Sequence, residues 1–294
     1  MTVQPDLGGV VFINGRLLPA ARARVSVFDR GLLYGDGLFE TVRTYRGSAF
    51  ALDDHLARLH ASARWLRIPV PQLDWPRQIG ALLRRNRLDA GDATVRITLT
   101  RGAARPGLLP PRLVRPTLLM TAAAIAPAVA RAQRRGVRVA LLPFARAGVL
   151  AGHKLLDYVP AILGRVIAHR HRAFEGLYVD GEGRLSEGTT CNLFLCRHGR
   201  LLTPPLTGGP EVLPGVTRRL VVQLAASAKI AMEERALSVK DLAAADEAFC
   251  TSSVIEIVPI IRAGERQVGS GRPGALTRRL QRLYAEIVAR AIAA

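Results

Sequence analysis

The chain has 294 residues, 49% hydrophobic and 22% charged, enough for one large domain or two ordinary ones with a substantial core. Apolar content this high and patterned excludes disorder over most of the chain, and the longest apolar stretch, 116–130, is short, alanine-rich and broken by Pro127, which argues against a membrane span. The formal net charge of +19 comes almost wholly from arginine scattered in ones and twos, so it reads as attraction for anionic small molecules rather than as a nucleic-acid-binding segment.

Taken in chain order, Val10–Asn14 is an apolar run ending in Asn14-Gly15, a hairpin signal. Arg24–Phe28 alternates and is expected as a second strand, followed by the turn Asp29-Arg30-Gly31. Leu38–Tyr45 alternates up to the turn Arg46-Gly47. Asp53 is expected to cap a helix over 54–66, where Leu56, Leu59, Ala63 and Leu66 recur at helical spacing, and a second helix covers 75–86. Ala93–Arg101 and Leu118–Ala123 read as strands, and 124–135, with a proline and weak periodicity, as a linker. Beyond it, strands are expected at 136–142, 177–179, 192–196 and 248–251, and helices at 158–172, 216–228 and 275–293. Strands and helices mixed without a regular βαβ period predict an α+β protein in two domains, 1–123 and 136–294. The N-terminus lacks the basic start and apolar run of a signal peptide. Three cysteines without a CxxC give neither a disulfide framework nor a metal site, and fit a reducing cytoplasm.

Four segments carry candidate chemistry. Lys154, one of only three lysines, lies just before a helix, and lysine is the side chain that condenses with an aldehyde; its plain alternative is a solvated surface lysine, the reading that suits Lys229 and Lys240. In Ser186-Glu187-Gly188-Thr189-Thr190-Cys191-Asn192-Leu193-Phe194 a carboxylate and small polar residues run into an apolar strand, and Glu187 is either a site group or a turn carboxylate. Leu213-Pro214-Gly215-Val216-Thr217-Arg218 opens a helix on a glycine, presenting free N–H groups to an anion or simply starting a helix. His55-Leu56-Ala57-Arg58-Leu59 places Arg58 on an amphipathic helix.

Taken together with Tyr34-Gly35-Asp36-Gly37-Leu38-Phe39-Glu40-Thr41 and Thr251-Ser252-Ser253-Val254, these segments resemble the class IV pyridoxal-phosphate enzymes. That family holds the branched-chain and D-amino-acid aminotransferases and the aminodeoxychorismate lyases, and the resemblance runs from about Val11 to Ile260. It implies fold type IV, pyridoxal 5'-phosphate as cofactor, and a homodimer. It implies that Lys154 is the catalytic residue, linked covalently to the cofactor and moving the substrate proton. It implies that Glu187 pairs with the ring nitrogen and that Arg58, Val216, Thr217 and Ser253, or else Ser252, hold the phosphate. By the same resemblance Tyr158 bonds the ring's phenolic oxygen and Leu213 packs on the ring face. On the substrate side it points to Tyr34, Phe39, Arg96 and Arg105. Arg105-Pro106-Gly107 lacks the histidine of the D-amino-acid enzymes, and the arginine-proline-leucine pattern of typical branched-chain enzymes is also absent. The expected activity is amino-group transfer between an amino acid, of D- or branched-chain type, and a 2-oxo acid. The alternative is aminodeoxychorismate lyase, which makes 4-aminobenzoate and pyruvate, and a basic nucleic-acid-binding module is the non-enzyme reading.

Overall fold

A computed structural model describes residues 8–145, 148–208 and 212–293. By contacts the chain divides into two compact units, 1–125 with 154–157, and 126–153 with 158–294.

The first unit runs β1 (Val10–Ile13), β2 (Arg16–Pro19), α1 (Arg30–Tyr34), β3 (Gly37–Tyr45), β4 (Ser48–Ala49), α2 (Leu52–Leu66), α3 (Trp75–Arg85), β5 (Asp92–Thr100) and β6 (Thr117–Ala124). Its strands form one antiparallel sheet in the order β2-β1-β6-β5-β3-β4. Alternation divides β5 between two faces. Ala93, Val95, Ile97 and Leu99 join Leu38, Val42, Phe12 and Met120 in a core closed by Leu59 of α2 and Ile79, Leu82 and Leu83 of α3. Thr94, Arg96 and Thr98 share the opposite face. The expected strand at 24–28 does not form. Its alternating residues Val25, Val27 and Phe28 are 44–67% exposed, with no neighbouring strand, so the pattern finds nothing to pack on. The cap of α2 falls at Ala51 rather than Asp53, and Asp53 and Asp54 instead place negative charge in the first turn.

The second unit runs α4 (Pro127–Arg135), β7 (Val137–Leu142), α5 (Val159–Arg170), β8 (Glu175–Val179), β9 (Arg184–Gly188), β10 (Asn192–Arg197), β11 (Arg200–Thr203), α6 (Val216–Ser227), β12 (Met232–Glu234), β13 (Leu237–Ser238), α7 (Val239–Ala243), β14 (Glu247–Ser252), β15 (Glu256–Ala263), β16 (Arg266–Gln267) and α8 (Ala275–Ala293). The stretch expected as a linker is largely the helix α4, with Pro127 at its first position, where proline lacks only an N–H that has no partner anyway. The strand pairings return on themselves. From β10 they pass through β14, β15, β7, β8 and β9, and β9 pairs with β10 again through the single couple Asn192–Glu187. Phe194 and Phe249, register partners on β10 and β14, stack at 4.9 Å. Strand β15 went unread because Pro259 interrupts its run. The parallel ladder with β7 begins only at Ile260, so the proline precedes the pairing on that side.

Glu247, on β14, anchors the last helix. Its Oε1 accepts from the Leu276 N–H and its Oε2 from the N–H and hydroxyl of Thr277, satisfying donors of the first turn of α8. Glu247→Ala is therefore expected to lower stability by about 1–2 kcal/mol, read as a shift of the urea midpoint with an unchanged slope.

Candidate active site

Lys154 lies in the first unit. Strand β4 covers β3 only at Thr44 and Tyr45, leaving the 37–39 edge open, and the lysine segment fills it. The Phe39 N–H donates to the Lys154 carbonyl at 2.9 Å, the Leu156 N–H donates to the Gly37 carbonyl at 3.1 Å, and Leu38 and Leu155 form a bridge. The lysine is thus placed by its own backbone. Its Nζ stands 4.5 Å from the centre of the Phe39 ring, and the Arg96 guanidinium stands 3.7 Å from that same ring. Phe39, Arg96 and Lys154 therefore come together, on the sheet face away from the core.

Arg58 lies on the other face. It grips the buried Glu40 as a fork, Nε to Oε1 and Nη2 to Oε2 at 2.7 Å each, and His55 Nδ1 lies 2.8 Å from Oε2. Burial pushes the Glu40 carboxyl upward, but the Arg58 charge and the hydrogen bonds from Arg58 and His55 outweigh it and hold the group at about 2. Burial pushes His55 below its ordinary value, although Glu40 pulls it up. Tyr34, 41% exposed, lies beneath Arg30 and its hydroxyl accepts from the Gly107 N–H; Arg105 is exposed in that same loop.

The second unit gathers its candidates around Asn192, a residue the sequence reading quoted without giving it a role. Asn192 Nδ2 donates to Glu187 Oε2 at 3.1 Å and to the Leu213 carbonyl at 2.9 Å, and the Leu213 N–H donates to the same Glu187 oxygen. Gly215 lies so close that a Cβ there would meet Asn192 Oδ1 at 2.0 Å, so only glycine lets α6 start at this point. Val216 and Thr217 are buried in the first turn of α6, which has no side-chain cap. In the strand register Asn192 pairs with Glu187 on one side and Thr251 on the other, and Ser252 and Ser253 follow directly. Tyr158 precedes α5 and shares a groove of about 470 Å³ with Ala161, Ile162, Arg165 and Thr190. Asn192, Glu40 and His55 are the site groups that sequence reasoning missed. A buried asparagine opening an apolar strand was the available signal for the first.

These groups suit pyridoxal phosphate. A buried carboxylate accepting from an amide and a backbone N–H fits a protonated ring nitrogen, and a helix start without a side-chain cap fits a phosphate. The buried Thr251 hydroxyl, in line with Asn192, has no hydrogen-bond partner among the described residues, as a ligand-facing group would. Among the described residues no cluster of His, Cys, Asp and Glu could hold a metal ion.

The fold and these residues define a pyridoxal-phosphate enzyme of fold type IV. Residues 37–263 match the family Amino-transferase class IV, and the chain belongs to that family, whose members use pyridoxal phosphate. It is 34% identical to a Methanocaldococcus jannaschii protein named "Putative branched-chain-amino-acid aminotransferase", over 94% of this chain and 96% of that one. It is 32% identical to the aminodeoxychorismate lyase of Bacillus subtilis, over 94% and 93%. The crystal structure of the Escherichia coli branched-chain amino acid aminotransferase superposes with a TM-score of 0.86 at 30% identity, covering 95% of this chain and 94% of that one.

Both His55 and Glu40 bind protons more readily in the unfolded chain, so stability falls as pH drops. The loss begins below 6.5 through His55 and continues from 4.5 toward about 2 through Glu40. Glu40→Gln should flatten the acid limb between 4.5 and about 2. It should also cost about 3–5 kcal/mol at neutral pH, because Arg58 is left buried without its carboxylate. Urea unfolding at a series of pH values reads both effects, and an unchanged acid limb would refute the role of Glu40.

Proposed function

We propose that the enzyme transfers an amino group between an amino acid of branched-chain type and a 2-oxo acid that includes dicarboxylic partners. The observation that carries this reading is the Arg96–Phe39–Lys154 cluster, an apolar ring flanked by the lysine and by a guanidinium within one unit. The ring suits an aliphatic side chain, and the guanidinium suits a second carboxylate.

When bound, pyridoxal phosphate supplies an aldehyde for covalent linkage and a ring that withdraws electrons from the substrate α-carbon. Lys154 Nζ would hold the cofactor covalently and would move the proton at the substrate α-carbon. Glu187, held by Asn192 and Leu213, would face the ring nitrogen and favour a proton there. Arg58, with Val216, Thr217 and Ser252 or Ser253, would hold the phosphate, while Tyr158 would bond the phenolic oxygen and Leu213 would pack on the ring. Tyr34 and Arg105 serve the substrate. The exposed Val159, Ile162 and Leu163 along α5 support a homodimer. Three free, buried cysteines support a cytoplasmic location.

The 32% identity to the Bacillus subtilis lyase favours a second reading, release of 4-aminobenzoate and pyruvate from aminodeoxychorismate. A half-reaction panel separates the two. Conversion of the bound cofactor to its amine form by a branched-chain or D-amino acid supports transfer. Pyruvate and 4-aminobenzoate released without such conversion support the lyase.

Two mutations test the residue roles. Lys154→Ala should abolish borohydride-trapped cofactor and lower the rate by several orders of magnitude; trapping on Lys229 or Lys240 would sink the assignment. Arg96→Ala should raise KM for 2-oxoglutarate about ten- to a hundredfold, and for pyruvate much less, as loss of one charge-assisted pair implies. An equal effect on both acids would remove Arg96 as the second-carboxylate clamp.

A further inference from the structure

Arg30 is 3% exposed and wholly engaged. Its Nε donates to Asp36 Oδ2 at 2.7 Å, its Nη1 to the Gly107 carbonyl at 2.6 Å and its Nη2 to the Leu108 carbonyl at 3.0 Å. The guanidinium also stands 4.9 Å from the centre of the Tyr34 ring, whose hydroxyl accepts from the Gly107 N–H at 3.0 Å. Among the described residues these are the only hydrogen bonds recorded for residues 105–113, where Leu108, Leu109 and Leu113 are 82–92% exposed. The base of the loop is held separately. Asp29 Oδ2 accepts from the Thr100 and Thr117 hydroxyls, and the Ala104 N–H donates to the Phe28 carbonyl. Gly102, at φ +88, lets the chain turn against the Arg115 carbonyl. Asp36 is itself shared, since Arg101 donates to the same carboxylate oxygen and reaches the Leu66 and Arg67 carbonyls at the end of α2. Burial raises the Asp36 pKa, but the hydrogen bonds from Arg101 and Arg30 bring it below its ordinary 3.8.

We propose that Arg30, oriented by Asp36, is the positioning residue of this enzyme's substrate loop, fixing residues 105–109 and thereby where Arg105 and Tyr34 meet a substrate carboxylate. The proposal rests on the reading of Arg105 and Tyr34 as substrate-binding residues. The guanidinium reaches two consecutive carbonyls and a carboxylate at once, a task its planar fork performs and a lysine ammonium does not. Because Asp29 and its threonines hold the loop base without Arg30, losing Arg30 should free the tip while the sheet survives.

The test uses the holoenzyme and two variants, Arg30→Met, which keeps the stem and loses every donor, and Arg30→Lys, which keeps a charge beside Asp36. Two readouts are taken: trypsin cleavage at the Arg112–Leu113 bond, followed by mass spectrometry, and the kinetic split for a 2-oxo acid. Cleavage should be about tenfold faster or more, because proteolysis follows the population of the open loop. KM should rise about tenfold while kcat changes less than about threefold, and borohydride-trapped cofactor should stay at the wild-type level. If the buried substitutions do not fold, Tyr34→Phe, which removes the acceptor for the Gly107 N–H, should still speed cleavage. Unaltered cleavage overturns the clamp, whatever KM does. Faster cleavage with unaltered KM overturns the positioning role. If Arg105→Ala also leaves KM unaltered, the reading of the loop as substrate-binding falls with it.

Discussion

One side-chain amide organises the second unit. Asn192 closes the ring of strands against Glu187, ties the Leu213 carbonyl, and leaves room for only a glycine where α6 begins. Strand pairing, the start of a helix and the orientation of a buried carboxylate thus share one residue. A buried carboxylate without orienting partners would sooner take up a proton than stay charged. Two N–H donors on one oxygen fix where the Glu187 carboxylate points.

In the first unit the organising forces are electrostatic. The chain carries 42 basic residues against 23 acidic ones, and acids are therefore the scarce component. The described structure concentrates them on particular arginines. Glu40 takes Arg58, Asp36 takes both Arg30 and Arg101, and Asp92 takes Arg43. Exposed pairs of this kind contribute little, whereas these arginines are largely buried and orient backbone loops as well as charges. Four arginines that look scattered along the chain are therefore gathered in space on three carboxylates.

Much of this was legible in the sequence. The periodicity of α2 and α3 and the alternation of β3 and β5 are strong local signals. What was not legible depends on partners remote in the chain. Residues 24–28 alternate as a strand would, yet among the described residues they meet no strand, the Ala104 N–H donating to the Phe28 carbonyl instead. Strand β15 is masked by Pro259, which is tolerated where the neighbouring ladder has not begun. Asn192 and Arg30 look like ordinary polar residues until the fold places Glu187 and Leu213 beside the one, and Gly107 and Leu108 beside the other.

The lysine segment has a further consequence. The edge of β3 between Gly37 and Phe39 would otherwise present unpaired backbone groups, a template on which a strand of another molecule could add. Residues 154–156 occupy that edge with two backbone hydrogen bonds and a bridge. The segment that carries Lys154 therefore also seals an aggregation-prone border. Since the seal is made by the main chain, changing the lysine side chain leaves it in place, whereas changes that pull 154–156 away from β3 uncover the edge and displace Lys154 together.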